Sequence, residues 1–172
     1  MARELGHTVT PLKPSLVPLE VKEDWVKRLQ GLSLKNVSVR LEDKNKNVIY
    51  SDFGEMMFTH FGVSGPVVLS ASRHILKYDY RDVVFIIDLK PALTEEQLDL
   101  RLQRDFNKYS RKQFKNSLGD LLPKMLIPVF VELSGIPPEK PVHQVTKEER
   151  QQIGKLLKNL AFEITGARPL DE

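Results

Sequence analysis

Tyr80-Arg81-Asp82-Val83-Val84-Phe85-Ile86-Ile87-Asp88-Leu89-Lys90-Pro91-Ala92-Leu93-Thr94-Glu95-Glu96-Gln97 contains the change of period on which the fold turns. As far as Leu89 the text is β-branched and aromatic, as a buried strand requires. Lys90-Pro91 interrupts it, because proline has no N–H to give to a ladder. Thr94-Glu95-Glu96-Gln97 then has the capping-box pattern, in which the first hydroxyl and the fourth side chain satisfy each other's backbone N–H groups. Leu93, Leu98, Leu102 and Phe106 follow at helical spacing. Strand text ends and helix text begins near residue 90.

The same contrast extends in both directions. Upstream, Val37, Val39 and Leu41 share one face of a strand, and Asp43-Lys44-Asn45-Lys46-Asn47 predicts a hairpin loop into Val48-Ile49-Tyr50. Glu23 to Leu29 predicts a short helix, acidic first and basic last, closed by Gly31 and anchored to the sheet by Trp25. Pro66 suits the first turn of a helix through Val67, Val68, Leu69 and Ala71 to about Leu76. Downstream, a second capping box, Thr146-Lys147-Glu148-Glu149, opens a helix with the apolar face Ile153, Leu156, Leu157 and Leu160. Between the two boxes, Pro128 kinks or restarts a helix that Ser134-Gly135-Ile136-Pro137-Pro138 stops. Phe162-Glu163-Ile164-Thr165 returns to strand text. The expectation is an α+β fold: a β-rich subdomain over residues 1–90 and 161–172, carrying an inserted helical subdomain over 91–160.

A chain of 172 residues is long enough to take roughly 70% of its extended surface out of water. Its longest apolar stretches, Val83 to Ile87 and Met125 to Val131, are too short to span a bilayer, so no membrane partner is expected. The absence of cysteine excludes disulfides and thiolate metal sites. Met1-Ala2-Arg3-Glu4-Leu5-Gly6 leads into polar residues rather than a signal sequence, and a cytoplasmic setting is expected. The net charge of +3 is uneven: residues 101–124 hold seven basic and two acidic side chains, a local +5. Phe106, Tyr109 and Phe114 interleave with these cations, a pattern that nucleic-acid binders share. Phe106 belongs to the apolar helix face, however, and a solvated surface explains the remaining charges. Nucleic acid is therefore not the expected partner.

Gly54-Glu55-Met56-Met57-Phe58-Thr59-His60-Phe61-Gly62-Val63-Ser64-Gly65-Pro66 concentrates glycines, polar side chains and aromatics where a fold gains little from them. It is not a nucleophile elbow, which needs Gly-x-Ser-x-Gly, and no acid stands nearby to orient His60 toward Ser64. Gly62 and Gly65 permit close backbone approach, and the helix begun by Pro66 turns its free N–H groups toward Ser64. Two readings stay open: Ser64 caps that helix, or the turn is a polar concavity for a ligand. Gly-x-Gly-x-x-Gly occurs nowhere in the chain, and His7, His60, His74 and His143 lack metal-site spacing, so no metal is expected.

Three stretches in this order, Gly6-His7-Thr8-Val9-Thr10-Pro11 through Pro18-Leu19, Gly54 through Pro66, and Leu122-Pro123-Lys124 through Ser134-Gly135-Ile136, resemble the BaiN-like family of bacterial NAD(P)/FAD-dependent flavoproteins. The resemblance runs from Gly6 to Arg168-Pro169. It implies a three-part parent with a flavin domain, a barrel-like domain and a small helical domain. This chain is similar to the central insert, the substrate-side or lid region, and is expected to be inactive without the flavin domain. The parent would hold FAD and would draw on NAD(P); the fragment itself is expected to hold neither. Thr59, His60, Ser64 and Gly65 become the cofactor-side residues, with no catalytic residue assigned. Expected partners are the parent's FAD-binding domain, a small-molecule substrate, and a second copy through a junction surface formed by Phe58, Phe61 and Val63. His7 to Leu12 should run beside Phe162 to Gly166. The alternative is a non-enzymatic module that docks protein or nucleic acid through its basic helical part.

Overall fold

The computed structural model describes residues 17–75 and 82–168. The expectations for His7, Thr8, Thr10, Pro11, Pro14, Leu76 and Tyr80 lie outside these residues. The strands are β1 (Leu19–Val21), β2 (Ser33–Glu42), β3 (Val48–Phe58), β4 (Gly62–Ser64), β5 (Val84–Asp88) and β6 (Leu160–Ala167). The α-helices are α1 (Asp24–Lys27), α2 (Pro66–Ile75), α3 (Glu95–Lys108), α4 (Ile127–Ser134) and α5 (Lys147–Lys158). The strands close into an antiparallel barrel in the order β1-β4-β3-β2-β5-β6, with β6 returning to β1. Helices α3, α4 and α5 lie in sequence between β5 and β6, so the α+β fold with a barrel and a helical insertion is borne out.

Val37, Val39 and Leu41 face the barrel interior, as the alternation predicts. Leu34 is buried too, at odd spacing from Val37, because a bulge between them lets Asn36 take φ +58° and turns Lys35 and Asn36 outward. The hairpin loop closes on Asp43, whose Oδ1 accepts from the N–H groups of Asn45 and Asn47, both at 2.9 Å. Phe85 and Phe162, directly opposite on β5 and β6, stack with centroids 4.9 Å apart, and Trp25 meets Phe162 edge-on at 6.1 Å. That cross-strand aromatic group is the anchor expected of Trp25.

Helix α2 begins at Pro66, and its buried face, Val67, Val68, Ala71 and Ile75, packs on the inner side of β3. Its Ser72 hydroxyl also accepts from the Val17 N–H at 3.0 Å, holding the start of the barrel. Both capping boxes form, Thr94 with Gln97 and Thr146 with Glu149. Pro128 starts α4 rather than kinking it, and Gly135 ends that helix in the left-handed conformation at φ +73°. One core residue was misplaced: Leu160 opposes Ile87 at the start of β6 and is not on the face of α5. Leu156 and Leu160 are one helical turn apart in number, but strand pairing with β5 outweighs the helical continuation.

Candidate functional site

The unusual run folds as the tight turn between β3 and β4. Thr59 builds it: its N–H donates to the Gly62 carbonyl at 2.9 Å, and its hydroxyl accepts from the Gly62 N–H at 3.1 Å. Gly62 is required by what lies against it, since a Cβ there would stand 2.2 Å from the Leu19 carbonyl oxygen. The close approach lets β4 pair with β1 on one side and β3 on the other, with Val63 opposite Leu19 and Phe58. Gly65 follows at φ +102°, where a Cβ would be 2.8 Å from Met56 Cα.

These constraints sort the predicted site residues. His60 is exposed at the tip, its ring edge-on to Phe61 at 5.1 Å. The Thr59 hydroxyl is spent inside the turn. Ser64 is half-buried in β4 opposite Met57. Gly65, not Ser64, occupies the position before Pro66, and its carbonyl accepts from the Leu69 N–H at 2.9 Å. Of the two open readings, the Ser64 cap is corrected: the ladder holds Ser64 extended one residue too early. Phe58 and Val63 are corrected as well. They are 1% and 0% exposed, inside the barrel, because closure turns them inward, so neither contributes to a junction surface.

The described chain begins and ends at the other end of the short β1 from this turn. The Arg168 N–H donates to the Pro18 carbonyl at 2.9 Å, extending the pairing of β1 with β6. The Arg168 guanidinium lies 4.4 Å from the centroid of the Phe61 ring, at cation–π distance. The Phe61 carbonyl accepts from the Val21 N–H at 3.1 Å. His60, Phe61 and Arg168 thus form a row along β1, from the turn beside its last residue, Val21, to Arg168 beside Pro18, ahead of its first residue. Sequence reading missed Arg168 as a member of this site, since 107 positions separate it from Phe61 and no local pattern links them.

Electrostatic order elsewhere is mostly structural. Asp120 accepts from the Tyr109 hydroxyl at 2.6 Å and pairs with Lys108 at 3.2 Å; Tyr109 first and Lys108 second hold its carboxyl below the usual range. Lys108 and Lys112 both stand 5.0 Å from the centroid of the Tyr109 ring. Asp105 is buried and pairs with Arg101 at 3.3 Å. Among the described residues no group of three or more His, Asp or Glu side chains is placed to hold a metal, and no helix is long and apolar enough to cross a membrane.

A closed barrel with helices inserted before its last strand, and a His-bearing turn packed through Phe61 on Arg168, defines a class of barrel domain with a helical insertion. Residues 13–172 match the family described as HI0933-like protein barrel and H2TH domain, and the chain belongs to that family. The resemblance to BaiN-like flavoproteins is borne out at this level. The chain is 28% identical to the 3-dehydro-bile acid delta(4,6)-reductase of Clostridium scindens over 99% of its own length and 42% of the relative. It is 27% identical to the ribosomal RNA dihydrouridine synthase of Escherichia coli over 80% of this chain and 32% of that one. The protein of the same name from Haemophilus influenzae is 29% identical, over 86% and 34%. The chain therefore spans less than half the length of these relatives.

Proposed function

We propose that this chain is the substrate-side insert of a flavin-dependent oxidoreductase and that its His60 turn faces the domain holding the flavin. The names of its relatives support the reaction class, since a delta(4,6)-reductase and a dihydrouridine synthase both add hydrogen to an unsaturated ring. The carrying observation is the bond from Arg168 N–H to the Pro18 carbonyl beside Phe61. A domain inserted in a host must leave and return over a short distance, and here the first and last described residues meet beside β1, one short strand from the His60 turn.

The residues of this chain do not fit a dinucleotide cradle. The glycine fingerprint is absent and the Thr59 hydroxyl is occupied in its own turn, so FAD and NAD(P) are assigned to the parent protein outside this chain. When bound there, a flavin supplies hydride chemistry. The insert supplies a wall: His60 offers a polar ring toward the flavin or substrate, Ser64 and Gly65 set the backbone behind it, and Phe61 under Arg168 excludes water.

The test compares the 172-residue chain with the longest open reading frame that contains it, both purified with excess FAD. Flavin should stay with the longer protein through gel filtration and leave the shorter one. Stoichiometric flavin on the shorter chain overturns the assignment.

A further inference from the structure

Strands β2 and β5 make their last pair where Ser38 lies opposite Asp88, and the chains diverge beyond it. On one side the β2 bulge turns Lys35 and Asn36 outward; on the other, the chain crosses to α3 through Lys90 and Leu93. A groove of about 500 Å³ lies between them, and Phe53, across the ladder from Ser38 and 58% exposed, forms part of its wall. That volume suits a small molecule.

The charges of this groove do not balance. Lys35 and Lys90 both line it, and no aspartate or glutamate does. Neither ammonium makes a hydrogen bond or an ion pair among the described residues. Two acids stand near Lys90, and both are committed elsewhere: Asp88 holds Lys158 at 2.9 Å and the Lys90 N–H at 2.8 Å, while the buried Asp105 pairs with Arg101 at 3.3 Å. Burial, then the Arg101 guanidinium, push the Lys90 pKa down, and Asp105 offsets this only in part. An anion in the groove would relieve both effects.

The rest of the lining narrows the choice of anion. Phe53, Leu89 and Leu93 give the groove an apolar wall with one exposed aromatic ring, which a flat apolar ligand would cover. Phosphate fits less well, because no arginine fork lines the groove and the Gln97 N–H at the start of α3 is already taken by the Thr94 hydroxyl. A carboxylate needs only point charges, which two lysines supply. We propose that this groove binds a small aromatic carboxylate, with its ring against Phe53 and its carboxylate between Lys35 and Lys90. Phe53 and His60 are seven residues apart along β3 and its turn, roughly 20 Å at the rise of a strand, so the groove is separate from the His60 turn and needs no flavin.

The test titrates 2-naphthoate into the isotope-labelled 172-residue chain and follows backbone amide shifts by NMR. Shifts at Lys35, Phe53 and Lys90 should saturate together, with a dissociation constant below about 10 mM. Lys90→Gln should weaken binding roughly ten-fold. Phe53→Leu, which keeps an apolar wall and removes the ring, should weaken it roughly five-fold. Naphthylmethanol, which has the same ring and no charge, should bind at least about ten-fold more weakly than naphthoate. Lys22→Gln, whose lysine pairs with Glu163 on β6, should leave binding unchanged. The proposal is overturned if no site saturates, if naphthylmethanol binds as well as naphthoate, if the Lys90 or the Phe53 variant binds as the unaltered chain does, or if Lys22→Gln weakens binding as much as Lys90→Gln. Cholate binding as tightly as naphthoate would also overturn it, since a steroid acid has no aromatic ring. So would full displacement of naphthoate by an equal concentration of inorganic phosphate, which would leave the groove a site for any anion.

Discussion

Lys158 Nζ lies 2.9 Å from Asp88 Oδ2 and donates to the carbonyls of Lys90 at 3.0 Å and Leu93 at 2.6 Å. The last turn of α5 is thereby fixed to the end of β5 and to the crossover into α3. The backbone adds a bond from the Leu89 N–H to the Leu157 carbonyl at 2.9 Å. The chain passes between barrel and helices only twice, and one ammonium ties both passages together. Such a joint holds the helices in place rather than letting them swing, which argues for a fixed wall over a lid.

Replacing Lys158 with Met keeps the aliphatic stem, removes the ammonium and leaves the Asp88 carboxylate without its cation. Both side chains are mostly buried, at 16% and 17% exposure, so the loss should be about 2 kcal/mol. Hydrogen exchange should show faster opening of α3 and α5 than of β2 and β3. Equal acceleration in all four would mean that Lys158 stabilises the molecule without serving as a joint.

Gly65→Ala and Gly31→Ala separate two costs of replacing a glycine. Gly31, at φ +94°, has open space around its missing Cβ, so alanine there should cost about 1 kcal/mol for the backbone conformation alone. Gly65 adds a collision with Met56 Cα, a backbone atom that cannot rotate aside. Its alanine variant should cost about 3 kcal/mol, read from urea midpoints at unchanged slope. Similar losses at the two positions would show that β3 yields easily to the β4–α2 corner.

Local rules made much of this fold legible. The capping boxes, the proline at the start of α2 and the Asp43 loop each depend on residues within four positions of one another, and each formed. What escaped depends on closure. Strand β4 has three residues and begins with a glycine, so nothing marked it as the strand that turns Phe58 and Val63 inward. Neither Lys158 nor Arg168 carried a local signal of its role, because their partners lie 70 and 107 positions away. At the site, the sequence marked the turn and His60, but the part of each hydroxyl and glycine came from the ladder around it.

The pH dependence of the second capping box can be stated with its sign. Lys140, 2.7 Å away, and then the Thr146 N–H hold the Glu149 carboxyl below the usual glutamate range. A carboxyl depressed in the folded state stabilises fully above its unfolded pKa and loses that contribution as pH falls through its folded value. Glu149→Gln keeps an acceptor for the box and removes the charge, so it should cost roughly 0.5–1 kcal/mol at neutral pH. In acid below that folded value the variant and the unaltered chain should unfold at nearly the same urea concentration. A gap that persists in acid would show that shape, not charge, sets the contribution of Glu149.

His60 is the residue for which stability and function should separate most clearly. Its side chain stands at the exposed tip of a turn whose hydrogen bonds are supplied by Thr59 and Gly62, so His60→Ala removes nothing that holds the turn. Its effect on thermal stability should stay within about 0.5 kcal/mol. Leu157 is the counterpart: fully buried on α5, it should cost about 2–5 kcal/mol when cut to alanine. In a flavin-containing protein that includes this chain, His60→Ala should slow oxidation of the reduced flavin by substrate at least ten-fold. Leu157→Ala should lower the melting temperature and leave the rate per folded molecule close to that of the unaltered protein. The measurement is single-turnover flavin oxidation beside thermal melts of both variants. An unchanged rate in the His60 variant would remove the ring from the chemistry and leave the turn as the corner that closes β4 into the barrel.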